Sequence, residues 1–300
     1  MLIKNYRTQF TQELTSIFDE KEIESFFYII LEAFHELKRV DLVLNPDLEL
    51  DNLQLLQWET VLSQLKQQKP IQYILGETKF FGLPFYVNEN TLIPRPETEE
   101  LVEWILSNNQ ITEPTHERMR TDEVNQLKIL DIGTGSGCIA ISLAKNLSND
   151  SVFAVDVSGK ALATAQKNAE LNEVKVTFIE QNILETEDLN QQFDIIVSNP
   201  PYVRNLEKQE IHKNVLEYEP HLALFVEDND ALLFYRKITE LALKNLSENG
   251  QLYFEINQYL GKEMVELLEK YNFKNIELKK DIYGNDRMIR CVFQVESQMS

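Results

Sequence analysis

The chain reads as an α/β protein, a mostly parallel sheet with an antiparallel edge hairpin, preceded by a small N-terminal helical bundle. Three observations predict this. From Leu127 onward, short apolar runs alternate with stretches of helical spacing, the pattern that builds a parallel sheet with helices on its faces. Near the end, residues 275–280 and 288–295 flank Asp281-Ile282-Tyr283-Gly284-Asn285-Asp286 and can pair as an antiparallel hairpin, an edge often carried by parallel sheets. Before Thr78, by contrast, apolar residues recur only at helical intervals.

In the first part Ile23, Phe26, Phe27, Ile30, Leu31 and Phe34 form one stripe, and Leu53, Leu56, Leu62 and Leu65 a less regular one. Both read as bundle core. Asn45-Pro46 and Lys69-Pro70 break the helices. Residues 78–87 read as a β-hairpin. In the stretch from Thr91 to Glu99, flanking prolines hold Arg95 extended, and Glu97 and Glu99 lead into a helix over 100–106. Spacing alone slightly favours a stiff linker there over a site. Residues 107–126 are polar and aperiodic and read as a surface loop. Strands follow at 127–132, 151–155, 174–179, 193–198 and 251–256. Helices are expected at 138–144, from near Ser158, at 231–246 with Asp230 as N-cap, and at 262–271. The expected division is 1–77 as a helical domain, 78–95 as hairpin and linker, and 96–300 as the sheet domain.

Composition narrows the partners. The 300 residues carry 29 basic and 49 acidic side chains, a net charge of −20. Such a surface repels phosphate backbones and attracts basic protein. Only two cysteines occur, Cys138 and Cys291, each in an apolar segment, so no disulfide framework is implied. No apolar run approaches the ~20 residues of a membrane helix, and residues 1–10 do not resemble a signal peptide, so a cytoplasmic protein is expected. His35, His116, His212 and His221 show no metal-ligand spacing, and no metal is expected.

Candidate chemistry gathers at strand ends, where open α/β sheets place ligands. After the strand at 127–132 comes Gly133-Thr134-Gly135-Ser136-Gly137, three of the nine glycines, leading into a helix. It is G-x-G-x-G rather than a dinucleotide or triphosphate loop. Asp156 ends the next strand and suits two ribose hydroxyls, although it could equally cap the following helix. Asn182 and Ile183 follow the third strand and suit an adenine edge and face. After the strand at 193–198 stands Asn199-Pro200-Pro201-Tyr202. The prolines stiffen the turn and remove donors, leaving the Asn199 amide oxygen and Pro200 carbonyl as acceptors beside an aromatic ring, an arrangement that grips a planar NH2 group. Singly each feature has a structural explanation; together, at successive ends of one sheet, they favour a nucleoside ligand.

The run from Asp131 to Gly137, Asp156 and Asn199-Pro200-Pro201-Tyr202 resemble the class I methyltransferases that use S-adenosylmethionine and act on planar nitrogen. Lys69-Pro-Ile-Gln-Tyr-Ile-Leu-Gly-Glu77, Leu92-Ile-Pro-Arg-Pro-Glu-Thr-Glu99 and Glu219-Pro220 narrow the resemblance to the peptide chain release factor glutamine methyltransferases, over residues 71–291. The resemblance implies a Rossmann-like seven-stranded sheet, S-adenosyl-L-methionine as cofactor, and methylation of the glutamine N5 in the Gly-Gly-Gln motif of a class 1 release factor. That factor would be docked by the helical domain. It implies Asn199, Pro200 and Tyr202 as catalytic residues and Gly133, Thr134, Gly135, Ser136, Gly137, Asp156, Asn182, Ile183 and Asn199 as cofactor contacts. Asn199, Pro200, Pro201, Tyr202 and Arg95 would meet the substrate. A monomer is expected, without direct nucleic-acid or membrane binding. Two departures stand out: Phe225-Val226-Glu227-Asp228-Asn229-Asp230 replaces a usual Gly-Gly pair, and Asn182 replaces a common Asp. The rival readings are an amino-group methyltransferase acting on nucleic acid (adenine N6 or guanine N2) and a catalytically silent cofactor-binding adaptor.

Overall fold

The computed structural model describes residues 1–109 and 126–294. The chain divides into two compact units, one of Met1–Glu77 with His212–Tyr218, the other of Thr78–Ile211 with Glu219–Ser300. The first unit therefore takes in a late segment that a division at residue 77 does not foresee.

The helical unit contains α1 (Ile3–Leu14), α2 (Glu20–His35), α3 (Arg39–Leu44), α4 (Asn52–Leu65) and α5 (Ile71–Leu75). Asp19 starts α2 by accepting the Lys21 and Glu22 amides, and Asp51 and Gln54 form a reciprocal capping box on α4. Tyr6, Phe10, Phe27 and Trp58 meet mostly edge to face in the core, the favoured aromatic geometry. The α4 stripe differs from the sequence reading. Leu53 and Leu56 are 68% and 64% exposed, while Trp58, Val61, Leu62 and Leu65 are buried. The large indole decides which face turns inward, because it removes the most apolar area from water.

The second unit opens with a hairpin, β1 (Glu77–Phe80) and β2 (Leu83–Tyr86), and α6 (Pro96–Asn109). Helix α6 starts four residues before the expected helix and runs three beyond it, through Ser107–Asn109. Most of the expected surface loop at 107–126 lies outside the described residues. Then come β3 (Lys128–Ile132), α7 (Cys138–Asn146), β4 (Ser151–Asp156), α8 (Gly159–Leu171), β5 (Val176–Glu180), β6 (Phe193–Ser198) and β7 (Val203–Arg204). After α9 (Lys213–Tyr218), which belongs to the helical unit, follow β8 (Phe225–Val226), α10 (Leu233–Asn245), β9 (Leu246–Glu255), α11 (Gly261–Lys270), β10 (Lys274–Lys280) and β11 (Asp286–Val292). Asp230 does not cap α10; it pairs with Arg236 inside the helix, and Leu232 holds the cap position without a side-chain bond.

Seven strands form one sheet in the order β10-β11-β9-β6-β3-β4-β5. β3, β4, β5, β6 and β9 are parallel, and β11 runs antiparallel to both its neighbours. The expected mostly parallel sheet with an edge hairpin is thus present. β3 is flanked by β4 and β6, so the chain leaves it on one side and returns on the other. That reversal opens a crevice at the carboxyl ends of β3 and β6. Buried clusters on the two faces include Leu130, Ile196 and Phe254, and Ile129, Ile195 and Tyr253. Alternate residues of the same central strands face opposite ways and need apolar cover on both sides.

Candidate active site

A cleft of about 230 Å³ lies at the reversal point. It is lined by Gly133 and Gly135 after β3, Asp156 at the end of β4, Asn182 and Ile183 after β5, and Asn199, Pro200 and Pro201 after β6. Thr91, Leu92, Pro220, Leu222 and Phe234 complete the wall. A larger hollow, about 550 Å³, sits on the helical unit. Its Arg7 and Arg39 are already engaged with Glu24 and the Tyr28 ring, and it lacks convergent catalytic groups.

The glycine turn is shaped by bonds to its neighbours. The Gly133 and Thr134 amides donate to the Val155 carbonyl, and the Gly135 amide donates to Asp156 Oδ2 at 2.8 Å. Asp156 Oδ1 accepts the Ser158 amide at 2.9 Å, while Ser158 itself caps α8. Asp156 is therefore fixed without being the helix cap. Burial raises its pKa, and the Ser158, Gly135 and Val157 amides pull it back toward the charged form. Gly137 does not line the cleft. It stands at φ +83°, and a Cβ there would lie 2.8 Å from Ile141 Cδ1 and 3.1 Å from Ala165 Cβ. Its missing side chain lets α7 pack close to α8.

Thr134 and Ser136 are also behind the wall. Thr134 Oγ1 donates to Asp131 Oδ2 at 2.6 Å, and the Ser136 carbonyl accepts from Asn168 Nδ2 at 2.8 Å. Asp131 is fully buried, and its Oδ1 has no hydrogen-bond partner among the described residues. Burial pushes its pKa up to about 7, against the opposing bonds from Thr134 and Ala140. Asn182 Oδ1 accepts the Leu184 amide at 3.1 Å, a turn contact that an Asp would make equally well.

Around Asn199 the structure adds residues that the sequence reading missed. Ser198 Oγ donates to the Ile132 carbonyl at 2.6 Å, tying the end of β6 to that of β3. Asn199 Nδ2 donates to Thr98 Oγ1 at 3.3 Å, and Thr98 Oγ1 donates to Glu255 Oε2 at 2.6 Å. Tyr202 is not in the cleft wall. Its ring packs against the core, and its hydroxyl donates to Glu255 Oε1 at 3.3 Å. Tyr235 donates to the Glu255 carbonyl at 3.2 Å. Burial raises the Glu255 pKa, while Thr98, Arg287 and Tyr202 favour its charged form. Arg95 is likewise outside the wall. Its guanidinium meets Glu219 Oε1 at 2.6 Å, and Glu219 Oε2 accepts the Ile93 amide at 3.2 Å. The pair joins the proline-rich stretch to Pro220, itself a wall residue.

Comparison with known proteins decides the family. A family described as PrmC N-terminal domain matches residues 5–76, and one described as Methyltransferase small domain matches residues 115–222. A release factor glutamine methyltransferase of Flavobacterium psychrophilum is 82% identical over 98% of this chain and 100% of its own length. The chain belongs to the release factor glutamine methyltransferase family. A family member of Bacteroides thetaiotaomicron is 41% identical over 93% of this chain and 95% of its own. A methyltransferase of Pyrococcus furiosus, 19% identical, shares the fold with a TM-score of 0.50 over 72% of this chain and 91% of its own.

In the release factor glutamine methyltransferase fold seen here, the stretch that lacks the usual Gly-Gly pair is structured. Phe225 and Val226 pair in parallel with Val203 and Arg204, and Asp228 Oδ1 accepts the Leu206 amide at 2.9 Å. No helix among the described residues is long and apolar enough to cross a membrane.

Proposed function

We propose that this chain transfers a methyl group from S-adenosylmethionine to the side-chain amide nitrogen of the glutamine in the Gly-Gly-Gln motif of a class 1 release factor, in the cytoplasm. The observation that carries the reading is the Asn199 amide at the end of β6. Its Nδ2 is committed to Thr98, so the opposite corner of the amide, Oδ1, is the acceptor offered to the cleft.

The cleft suits the cofactor chemically. Asp156 offers carboxylate oxygens for ribose hydroxyls, Gly133 and Gly135 allow close backbone approach, and Ile183 and Phe234 supply apolar wall for a purine. The orphaned Asp131 Oδ1 is a buried acceptor next to the glycine turn. When bound, the cofactor supplies an electrophilic sulfonium methyl.

An amide nitrogen is a poor nucleophile because its lone pair is delocalised into the carbonyl. Asn199 Oδ1 and the Pro200 carbonyl would accept its two N–H groups and hold the nitrogen at the cleft wall, facing the bound cofactor. With the cofactor bound, a C–N bond would form as its S–C bond breaks, and the nitrogen, cationic once methylated, would give a proton to solvent. Orientation and fixed dipoles supply the rate, and no base of tuned pKa is required. Tyr202 contributes by stiffening the turn through Glu255, and Arg95 by fixing Glu219-Pro220 at the rim. The net charge of −20 suits a basic protein substrate.

The test is incubation with radiolabelled S-adenosylmethionine and purified release factor carrying Gln or Ala at the Gly-Gly-Gln position. Label is expected in the Gln protein alone. Equal labelling of both, or of RNA instead, refutes the assignment.

A further inference from the structure

We infer that Thr98 and Glu255 form a polarity relay that sets which corner of the Asn199 amide faces the substrate. The inference rests on the reading of Asn199 as the acceptor for the substrate amide. Thr98 lies in the first turn of α6 and Glu255 at the end of β9, 157 positions apart, and both are buried.

The bonds from Thr98 and Tyr202 and the charge of Arg287 favour the ionised form of Glu255 against its burial, and an ionised carboxylate only accepts: it receives Thr98 Oγ1 at 2.6 Å and Tyr202 Oη at 3.3 Å. A threonine hydroxyl has one proton to give. Once it is spent on Glu255, Thr98 can only accept from its other neighbour. Asn199 must therefore turn its Nδ2 toward Thr98, the arrangement seen in the 3.3 Å contact, and keep Oδ1 on the other side. A reversed amide would set two acceptors face to face at Thr98 and offer an NH2 to an NH2 in the cleft. The carboxamide of Asn is nearly symmetric in shape, so sterics alone do not prevent reversal. Thr98 and Glu255 are thus positioning residues, acting through Asn199 without touching the reacting atoms.

The closing experiment compares wild type, Thr98→Val and Thr98→Ser. Valine keeps the volume and removes the acceptor. It is expected to lower kcat about tenfold, the worth of one oriented hydrogen bond, with the Kd for S-adenosylmethionine and the KM for release factor within twofold of wild type. Serine restores the hydroxyl and is expected to recover kcat to within threefold. A valine variant with kcat within twofold of wild type overturns the relay, and so does a serine variant as slow as valine. Neutron diffraction of the deuterated wild-type protein reads the same relay without turnover or mutation. A deuteron on Thr98 Oγ1 aimed at Glu255, with the Asn199 Nδ2 deuterons on the Thr98 side, is expected; an Asn199 Oδ1 facing Thr98 refutes the inference. If wild type fails to methylate any release factor, the substrate assignment falls, and the neutron result still judges the relay.

Discussion

At the scale of single residues, Asn199 is where the proposed chemistry converges. Asn199→Ala removes the acceptor while leaving the glycine turn and Asp156 untouched. Calorimetry is expected to return a Kd for S-adenosylmethionine within about threefold of wild type, and single-turnover assays a rate lowered by roughly 10²–10³-fold, as for other oriented donors and acceptors of this kind. Arg95 invites a different forecast. Glu219 has 1% of its side chain exposed, so Arg95→Ala leaves a buried carboxylate whose remaining side-chain bond among the described residues is the Ile93 amide. A loss of about 2 kcal/mol in urea unfolding is expected, below the roughly 3–5 kcal/mol of a fully buried pair because Arg95 itself is 32% exposed. An unchanged midpoint would return Arg95 to the role of a free substrate contact. The places of Asn199, Pro200 and Asp156 in the cleft wall were legible because each sits at a strand end. Thr98 and Glu255 were not, since nothing local in a helix-start threonine or a strand-end glutamate says that they meet across 157 positions.

At the scale of elements, the strand ends make the site and the helices hold them still. The strands from β3 to β6 were readable as apolar runs punctuated by Gly, Asp and Asn. The helix boundaries were less so. α6 begins at Pro96 because proline is tolerated in a first turn, and its acidic Glu97 and Glu99 suit the positive helix start. The three glycines of the turn also turn out to do different work. Gly133 and Gly135 border the cleft, whereas Gly137 governs how α7 packs on α8. Gly137→Ala adds a methyl against the Ile141 side chain at a left-handed backbone position. It is expected to cost on the order of 2–3 kcal/mol in chemical denaturation. The loss should exceed that of Gly135→Ala, where a Cβ meets nothing within 4 Å and only backbone strain remains. Equal losses at the two positions would mean that helix packing is not what Gly137 serves.

At the scale of the whole molecule, each unit carries one tryptophan and a titratable group whose pKa burial shifts, His35 in one and Asp131 in the other, and these two respond to pH with opposite sign. In the helical unit Trp58 Nε1 donates to His35 Nε2 at 2.9 Å, and burial lowers the His35 pKa below its ordinary 6.5. Protonated His35 cannot accept that bond. Its contribution to stability is therefore complete above pH 6.5 and is lost as pH falls through the lower folded value. In the sheet unit Asp131 goes the other way. Its folded pKa, about 7, lies above the ordinary 3.8, so the folded state holds the extra proton and loses stability as pH rises from about 4 to 7. The full effect is on the order of 2–4 kcal/mol. Trp104 lies in α6 of that unit, so each unit has its own fluorescent reporter. Followed through Trp58 in a Trp104→Phe background, the thermal midpoint is expected to drop between pH 7 and 5, and His35→Phe should flatten that drop. Followed through Trp104 in a Trp58→Phe background, which also removes the His35 bond, the midpoint is expected to rise over the same interval, and Asp131→Asn should flatten the rise. Parallel pH profiles from the two reporters would show that the titrations are not confined to their own units, and a Trp104 signal unmoved by Asp131→Asn would remove Asp131 from the account.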